Sequence, residues 1–342
     1  MQPLPSLTVV IPNFNHGHLI GDQLRSILAQ SVQPAKIIII DDASTDDSVS
    51  IIRSIISLHQ NVELVCKETN SGPLRVMNEA LRFVKTELVT FLAADDITLP
   101  GFFEKSLTLF SNYPEAAICS GISLVKYHSE RYAVPSWLAY PCSRPEFLTP
   151  ARVRKLLLRF GDWFMGNTTV YRRELLLAEG GFDLELRSFA DGFLSWVLAL
   201  RHGACFIPEP LAVFRRLDSG YSSSTSRDES TYAQLLTVAN SRMATKFKDL
   251  FPAELVERCS ARMLSRVLWV KLNNFEAHVQ KMVGAAQPIG GGALLLFAIH
   301  WANRILIALF FCVLRPYDIP RFALSTLWRR SPRVRKTTQQ AR

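Results

Sequence analysis

Apolar residues in this chain recur in two rhythms. Over about the first 120 positions, short unbroken runs of β-preferring residues alternate with stretches whose apolar positions repeat about every 3.6 residues. Leu7 to Ile11 reads as a buried strand that breaks at Pro12 into the loop PNFNHGH, with a helix from about Leu19 to Gln30. Lys36 to Ile40 is a second strand, IIII at its core, running straight into Asp41 and Asp42. Val62 to Cys66 is a third, followed by Asn70, Ser71, Gly72 and a helix carrying Arg75 and Asn78. Leu88 to Leu92 is a fourth, ending at the pair Asp95 and Asp96. Strands and helices in this alternation predict an α/β chain built on a doubly wound, mostly parallel sheet.

Further along the pattern loosens. Phe102 to Phe110 reads as a helix and Ala116 to Ile122 as a strand, while Val125 to Thr149 shows little periodicity and reads as an irregular excursion. Its Trp137 and Tyr140, with Trp163 beyond, could stack on a sugar face or simply fill core. Asp162, Trp163, Met165, Gly166 and Asn167 lead into a strand at Thr168 to Tyr171. The turn Gly180, Gly181, Phe182, Asp183 precedes Asp191, which opens a helix from Gly192 to His202. Strands at Ala204 to Ile207 and Leu211 to Arg216 lead to the polar loop LDSGYSSSTS. Ser230 to Phe247 and Pro252 to Val283 are helical and amphipathic, and should pack on the preceding domain.

Candidate chemistry gathers where strands should end, because ligands of open α/β sheets bind outside the strands' carboxyl ends. Asp95 and Asp96 are hard oxygen donors at such an edge, suited to Mg²⁺ or Mn²⁺ and hence to a diphosphate-bearing substrate; alternatively they solvate a turn. Asp41 and Asp42 sit at a neighbouring edge, where an acceptor-only side chain can take the ring N–H of a base. Asp46 and Asp47 are read as helix-capping residues, with Ser44 or Thr45 as the cap itself. No GxGxxG follows the first strand and no GxxxxGK[ST] occurs, which argues against dinucleotide-binding dehydrogenases and P-loop NTPases.

The run VVIPNFN, then IIIIDDASTDDS, ETNSGPLRVMNEAL and ELVTFLAADDITLPG resembles the nucleotide-sugar half of glycosyltransferase family 2, inverting enzymes of the GT-A fold. The resemblance covers roughly the first 220 residues. It implies that Pro12, Asn13 and Asn15 line the nucleotide pocket, that Asp42, with Asp41, contacts the base, and that Asn70, Gly72 and Arg75 close over base and ribose. It further implies that Asp95 and Asp96 form the family's metal-binding DxD-type motif, with Asp95 also at the donor, although Ala93 stands where the commoner DADD form has a carboxylate. The family's GGFDE, gap and acidic pair before a helix appear here as Gly180 to Asp183, then Ala190 and Asp191. That likeness makes Asp191 the expected general base; its position alone would suit an ordinary N-cap. Arg216 or Arg215 is expected to neutralise the leaving diphosphate, or to form a solvated surface pair.

Composition sharpens the picture at the far end. The chain has 342 residues, 48% of them hydrophobic, and a net charge of +9 weighted by arginines from Arg315 onward. Ile289 to Leu314 is almost wholly apolar, interrupted by His300, Asn303 and Arg304. It is expected to lie in a membrane interface, with the basic tail on anionic lipid; spanning and a buried core helix are the alternatives. A nucleic-acid role is not expected, because no recognition motif accompanies the basic patch. Six cysteines without CxxC or metal-ligand spacing read as reduced buried thiols, and MQPLPSLTVVIP lacks a basic segment, so the cytoplasmic face of the cell membrane is expected.

Three regions follow: a GT-A domain over 1–225, a helical extension over 226–284, and an apolar membrane-associating segment with basic tail over 285–342. The expected activity is inverting transfer of a sugar from a nucleotide diphosphate donor, UDP-linked by preference, to a hydroxyl of a lipid-linked or surface-glycan acceptor. The rival readings are a catalytically silent nucleotide-sugar-binding or membrane scaffold, and a nucleotidyltransferase. PNFNHGH argues against the last, lacking a basic Gly-rich loop.

Overall fold

A computed structural model describes residues 3–127, 133–135, 140–217, 220–221, 225 and 228–264. Four strands, β1 (Leu7–Asn13), β2 (Lys36–Asp41), β3 (Val62–Cys66) and β4 (Leu88–Phe91), alternate with α1 (Gly17–Leu28), α2 (Ser48–Ile56) and α3 (Pro73–Phe83). The unbroken apolar run of β2 is explained by two-sided burial. Ile37 and Ile39 join Leu7, Val9, Ile11 and the α1 residues Ile20, Leu24 and Ile27 on one face, while Ile38 and Ile40 join Val10 and Leu74 of α3 on the other. Pro12 does not end β1: it stays in register opposite Ile40, and the strand runs on to Asn13.

The chain continues through β5 (Ile97–Thr98), α4 (Phe102–Asn112), β6 (Ile118–Tyr127), β7 (Val134–Pro135), β8 (Glu146–Leu148), α5 (Pro150–Phe160), β9 (Val170–Arg172), α6 (Arg173–Ala178), α7 (Ala190–His202), β10 (Ala204–Arg216) and α8 (Glu229–Ala244). One sheet takes the order β3-β2-β1-β4-β9-β6-β10-β5, with β7 on β6 and β8 on β10. The sheet is mixed rather than purely doubly wound: β1–β4 pair parallel, as do β6 and β10, while β9 enters antiparallel between β4 and β6, and β5, β7 and β8 also pair antiparallel. A three-residue strand buried in mid-sheet carries too short a pattern to announce its direction.

Two expected strands prove to be one. β10 pairs with β6 across register shifts at Ile207/Pro210 and Pro210/Ala212, because prolines at 208 and 210 offer no N–H to the ladder. Gly121 makes room for this bulge: a β-carbon there would lie 2.3 Å from Leu211 Cδ1. β6 also reaches Tyr127 and β8 forms inside the stretch read as irregular.

The helical extension shares the main core. Leu235, Ala239 and Met243 of α8, and Phe247, Phe251, Leu255 and Cys259 beyond it, pack in one cluster with Phe193, Trp196 and Val197 of α7. The rings of Phe193 and Phe251 stack 5.9 Å apart. Among the described residues no helix is long and apolar enough to cross a membrane. The segment Ile289 to Leu314, the basic tail, Trp137 and the later part of the helix expected over Pro252 to Val283 lie outside the described residues.

Candidate active site

The carboxyl ends of β1 and β2 are tied together by the residues singled out there. Buried Asn13 donates its side-chain amide to Asp41 Oδ2 at 2.7 Å, and Asp41 Oδ1 accepts the Ser44 N–H at 2.9 Å. Asn15, held at φ +55°, receives the Thr45 N–H on Oδ1 at 2.8 Å and gives its own N–H to Ser44 Oγ. Asp41 therefore braces the 13–15 loop against the 43–45 loop. The N-cap position of α2 is Asp47, with no side-chain bond of its own, rather than Ser44 or Thr45; Asp46 beside it accepts the Ser48 N–H and the Gly17 N–H that opens α1. Pro12 is half-buried beneath this loop, and Phe14 stands out of it, 41% exposed. An exposed aromatic ring at a strand's carboxyl edge is a surface for stacking a base, and sequence reasoning passed over it.

Asp42 is buried and looks the other way. Its carboxylate accepts the backbone N–H of Ser71 and, at 2.8 Å, that of Gly72, with Lys67 Nζ 3.5 Å off. Asn70 Oδ1 accepts the same Gly72 N–H at 3.0 Å. Gly72 holds φ +85° just before Pro73 starts α3, a conformation in which other residues would be strained. Asp42 thus fixes the 70–72 loop from below, and Arg75 stands exposed on the first turn of α3.

After β4 the chain turns so that two adjacent carboxylates face apart. Asp95 is half-exposed, and no hydrogen bond among the described residues engages its carboxylate. Asp96 is buried, its Oδ2 accepting Asn167 Nδ2 at 3.0 Å and its Oδ1 accepting the Arg215 backbone N–H at 3.1 Å. Burial first, and then the Asp95 charge, push Asp96 well above the usual carboxylate range, against the pull of those donors. Ala93 is half-buried beside them. This donor set fits a divalent cation that keeps waters and takes oxygens from a substrate diphosphate: Asp95 is free to ligate, with Asp96 behind it. Among the described residues no cluster of three metal-ligating side chains exists.

Arg215 and Arg216 part company at the end of β10. The Arg215 guanidinium pairs with Asp22 of α1 at 2.8 Å, while its backbone N–H pins Asp96. Arg216, the next residue, is half-buried at the strand end.

Asp191 lies in the first turn of α7, which starts at Ala190 rather than Gly192. Ahead of that helix, Arg187 adopts φ +46° without being glycine, a sharp break that sets the helix's direction. The preceding turn is fastened to α3: Asn78 exchanges two 2.8 Å hydrogen bonds with the Phe182 backbone, and Gly181, at φ +76°, passes so close that a β-carbon would lie 2.6 Å from Asn78 Oδ1. Asp191 Oδ1 accepts the Gly192 N–H at 2.8 Å, and Oδ2 lies against Gly166, 2.1 Å from where a β-carbon would sit. Burial lifts Asp191 above its usual range. It is half-buried rather than sealed, which suits a group that must meet a hydroxyl.

One turn links the two acidic sites. Residues 166–168 form a single 3-10 turn in which Gly166 carries Asp191 and the next residue, Asn167, carries Asp96. Thr168 bonds back to Gly121, and the Thr169 carbonyl accepts Thr90 Oγ1, so the turn is locked to β6 and to β4. Nothing in residue spacing pairs 96 with 167 or 166 with 191, and sequence reasoning gave Gly166 and Asn167 no role. Trp163 is 3% exposed and packs on Phe164, so it belongs to the core, and Tyr140 packs on Phe206.

Comparison with known proteins bears on this geometry. A family model described as glycosyl transferase family 2 matches residues 8–176. TuaG of Bacillus subtilis, provisionally named a teichuronic acid biosynthesis glycosyltransferase, is 31% identical over 121 residues, 35% of this chain and 48% of that protein. The matched stretch spans 42% and 48% of the length of two such curated relatives and 67% and 64% of two others. Among solved structures, Staphylococcus aureus TarS 1-349 in complex with UDP-GlcNAc aligns with a TM-score of 0.58 at 20% identity, covering 76% of this chain and 72% of that one. The mannosyltransferase PcManGT of Pyrobaculum calidifontis, in complex with GDP-Man and Mn²⁺, aligns with a TM-score of 0.55 at 18% identity, covering 96% and 89%. At these identities the likeness is one of fold.

Proposed function

Starting from a chain whose residues 8–176 form a glycosyl transferase family 2 domain, we propose that it transfers a sugar from a nucleotide diphosphate donor to an acceptor hydroxyl with inversion. The observation that carries this reading is the shared turn: Asp191 abuts Gly166 while Asn167 holds Asp96, so the assigned base and the carboxylate behind Asp95 are fastened to adjacent residues of one turn. Phe14 would stack on the base, with the Asp42-anchored loop of Asn70 to Gly72 and Arg75 closing over base and ribose. UDP is the preferred nucleotide.

In the reaction, Asp191 takes the proton of the acceptor hydroxyl as its oxygen bonds to the anomeric carbon. The bond to the diphosphate breaks on the opposite face and its electron pair leaves with the nucleotide. Mg²⁺ or Mn²⁺ held on Asp95, with Asp96 behind it, would offset charge on that departing diphosphate. Asn167 and the Arg215 N–H keep Asp96 in place, and Arg216 at the end of β10 is assigned to the diphosphate. TuaG's provisional name supports a surface-polysaccharide acceptor, and the apolar segment Ile289 to Leu314 with its basic tail supports work at the cytoplasmic membrane surface on a lipid-linked or growing glycan.

The test is Asp191→Asn. Thermal shift with a panel of nucleotide sugars should show donor binding retained, while transfer is lost. Unchanged transfer in Asp191→Asn would overturn the assignment of the base. A parent protein that binds a donor yet turns over none, with any metal, favours a silent nucleotide-sugar-binding scaffold, the reading that Ala93 in place of a carboxylate keeps open.

A further inference from the structure

The Asp95 carboxylate has no hydrogen bond among the described residues, so its direction is set by the backbone of the turn that carries it. That turn leaves β4 with the Leu92 N–H on the Val10 carbonyl, and the Asp96 N–H closes it on the Ala93 carbonyl at 3.3 Å. Its exit is β5, two residues long and last in the sheet, paired with β10 at Ala212 and Val213. So short a strand, with a neighbour on one side only, holds a turn weakly and leaves backbone groups unpaired on its outer edge. Helix α1 covers that edge. Gln23, 1% exposed, turns its Oε1 to the Thr98 N–H at 3.1 Å and to the Thr98 hydroxyl at 3.3 Å. Ser26 Oγ accepts the same N–H at 3.0 Å and gives its own hydrogen to the Gln23 carbonyl at 2.8 Å. Further along α1, Gln30 Nε2 donates to the Leu99 carbonyl at 3.0 Å. The same helix reaches the second carboxylate, because Asp22 pairs with the guanidinium of Arg215, whose backbone N–H lies on Asp96 Oδ1.

We propose that Gln23 is a positioning residue for the cation site: by accepting the Thr98 N–H it holds the exit of the turn, and so fixes where Asp95 presents its oxygens. The inference rests on Asp95 and Asp96 holding a divalent cation, as assigned above. The other buried side chains of α1, Ile20, Leu24 and Ile27, are apolar and face the sheet. A buried glutamine among them costs stability unless its polar atoms are bonded, and here the acceptor oxygen goes to the strand that leaves the cation turn. Between Asp96 and Thr98 stands Ile97 alone, itself paired with Val213, so a shift at Thr98 passes to the carboxylates with little slack. Mg²⁺ takes its oxygens at about 2.0–2.1 Å in near-ideal octahedral geometry. A displacement too small to disturb the packing therefore still weakens ligation. Because Ser26 offers a second acceptor to the same N–H, loss of Gln23 leaves that donor bonded and the fold intact, while the seat of Thr98 changes. Gln23 touches neither cation nor substrate; it acts through the backbone of Thr98.

The experiment is Mn²⁺ binding by the full chain in the presence of UDP or GDP, followed by the electron paramagnetic resonance signal of free Mn²⁺, in the parent and in Gln23→Met, Ser26→Ala and Ile27→Val. Gln23→Met keeps the side chain's volume and removes the acceptor. It should raise the Mn²⁺ dissociation constant by about 10-fold, with the thermal shift given by the nucleotide in EDTA unchanged. An unmoved dissociation constant overturns the assignment. Ile27→Val thins the core beneath the same helix and is the control for a purely structural effect. It should lower the melting temperature and leave Mn²⁺ affinity in place; an equal weakening there means general loosening of α1 and also overturns the assignment. Should Gln23→Met fail to fold, Ser26→Ala decides, since it removes the other acceptor of the Thr98 N–H: weaker Mn²⁺ binding supports the role given to this contact, and unchanged binding overturns it. The two readings fail separately. A parent that binds no Mn²⁺ with either nucleotide removes the cation site and the role of Gln23 with it, whereas a parent that binds Mn²⁺ no more tightly than Gln23→Met removes only the positioning role.

Discussion

The side-chain amide of Asn167 donates to Asp96 Oδ2 at 3.0 Å, joining two positions 71 residues apart. The other half of that amide, Oδ1, is buried without a hydrogen-bond partner among the described residues, so Asn167 is held there by its bond to Asp96 and by its turn. Replacing Asn167 by Ala leaves Asp96, among the described residues, with the Arg215 N–H alone. Supporting contacts behind cation-binding groups are typically worth about 10–100-fold. Asn167→Ala should therefore lower transfer by about that factor and raise the Mn²⁺ concentration giving half-maximal rate, read by titrating metal against initial rate.

Gly166→Ala tests the placement of the base. The backbone there is compatible with alanine, but the new methyl would stand 2.1 Å from Asp191 Oδ2, so the carboxylate must move. Displacement by about 1 Å can cost on the order of 100-fold in rate. The expected result is a kcat drop of that order with an unchanged donor KM; a fully active Gly166→Ala would contradict the geometry.

Asp42→Ala releases the loop at Ser71 and Gly72, whose backbone N–H groups lose their acceptor. Two such bonds to a charged group, discounted for solvent entering the site, amount to roughly 1–3 kcal/mol. Donor affinity should fall by roughly 10-fold or more, measured calorimetrically, and the melting temperature should fall as well, because the buried bonds are also lost in the free protein.

The burial of Asp162 has a signature in stability. Its folded-state value is raised above the unfolded one, to about 6 from 3.8, so the folded protein binds more protons in that window. The stabilising contribution is present below the lower value and is lost as pH rises through the upper one. Asp162→Asn, which mimics the protonated form, should raise the melting temperature at pH 8 by on the order of 3 °C and leave it unchanged near pH 3.5. Equal effects at both pH values would contradict the burial of this charge.

Chelation tests the cation. EDTA should abolish transfer by the parent, and Mn²⁺ or Mg²⁺ should restore it; Asp95→Asn should stay inactive after metal is returned, since the half-exposed Asp95 is the carboxylate left free to ligate. Full turnover in EDTA would count against the role given to Asp95.

The parallel half of the sheet was legible because its signal is local. IIII in β2, bounded by turn residues, reads as a strand covered on both faces, with one acidic pair at its end and the other in the turn after β4. Asp41 and Asp42 looked alike in that reading, yet one braces Asn13 and Ser44 while the other holds Ser71 and Gly72. Successive residues at a strand end point to opposite faces, and only the loops packed there decide what each one meets. The same holds for Asp95 and Asp96, one half-exposed and one buried.

By itself the order of residues determined the alternating strands and helices, the strand ends at which carboxylates gather, and the helix that carries Asp191, since all of these arise from neighbours within a few positions. Only the tertiary structure decided that β9 runs backwards through mid-sheet, that Asn167 reaches Asp96, and that Gly166 abuts Asp191. Those relations join segments separated by tens of residues, where neither periodicity nor spacing carries information. What selects them is close packing: a glycine where a carboxylate must come near, and an amide where a buried carboxylate needs a donor.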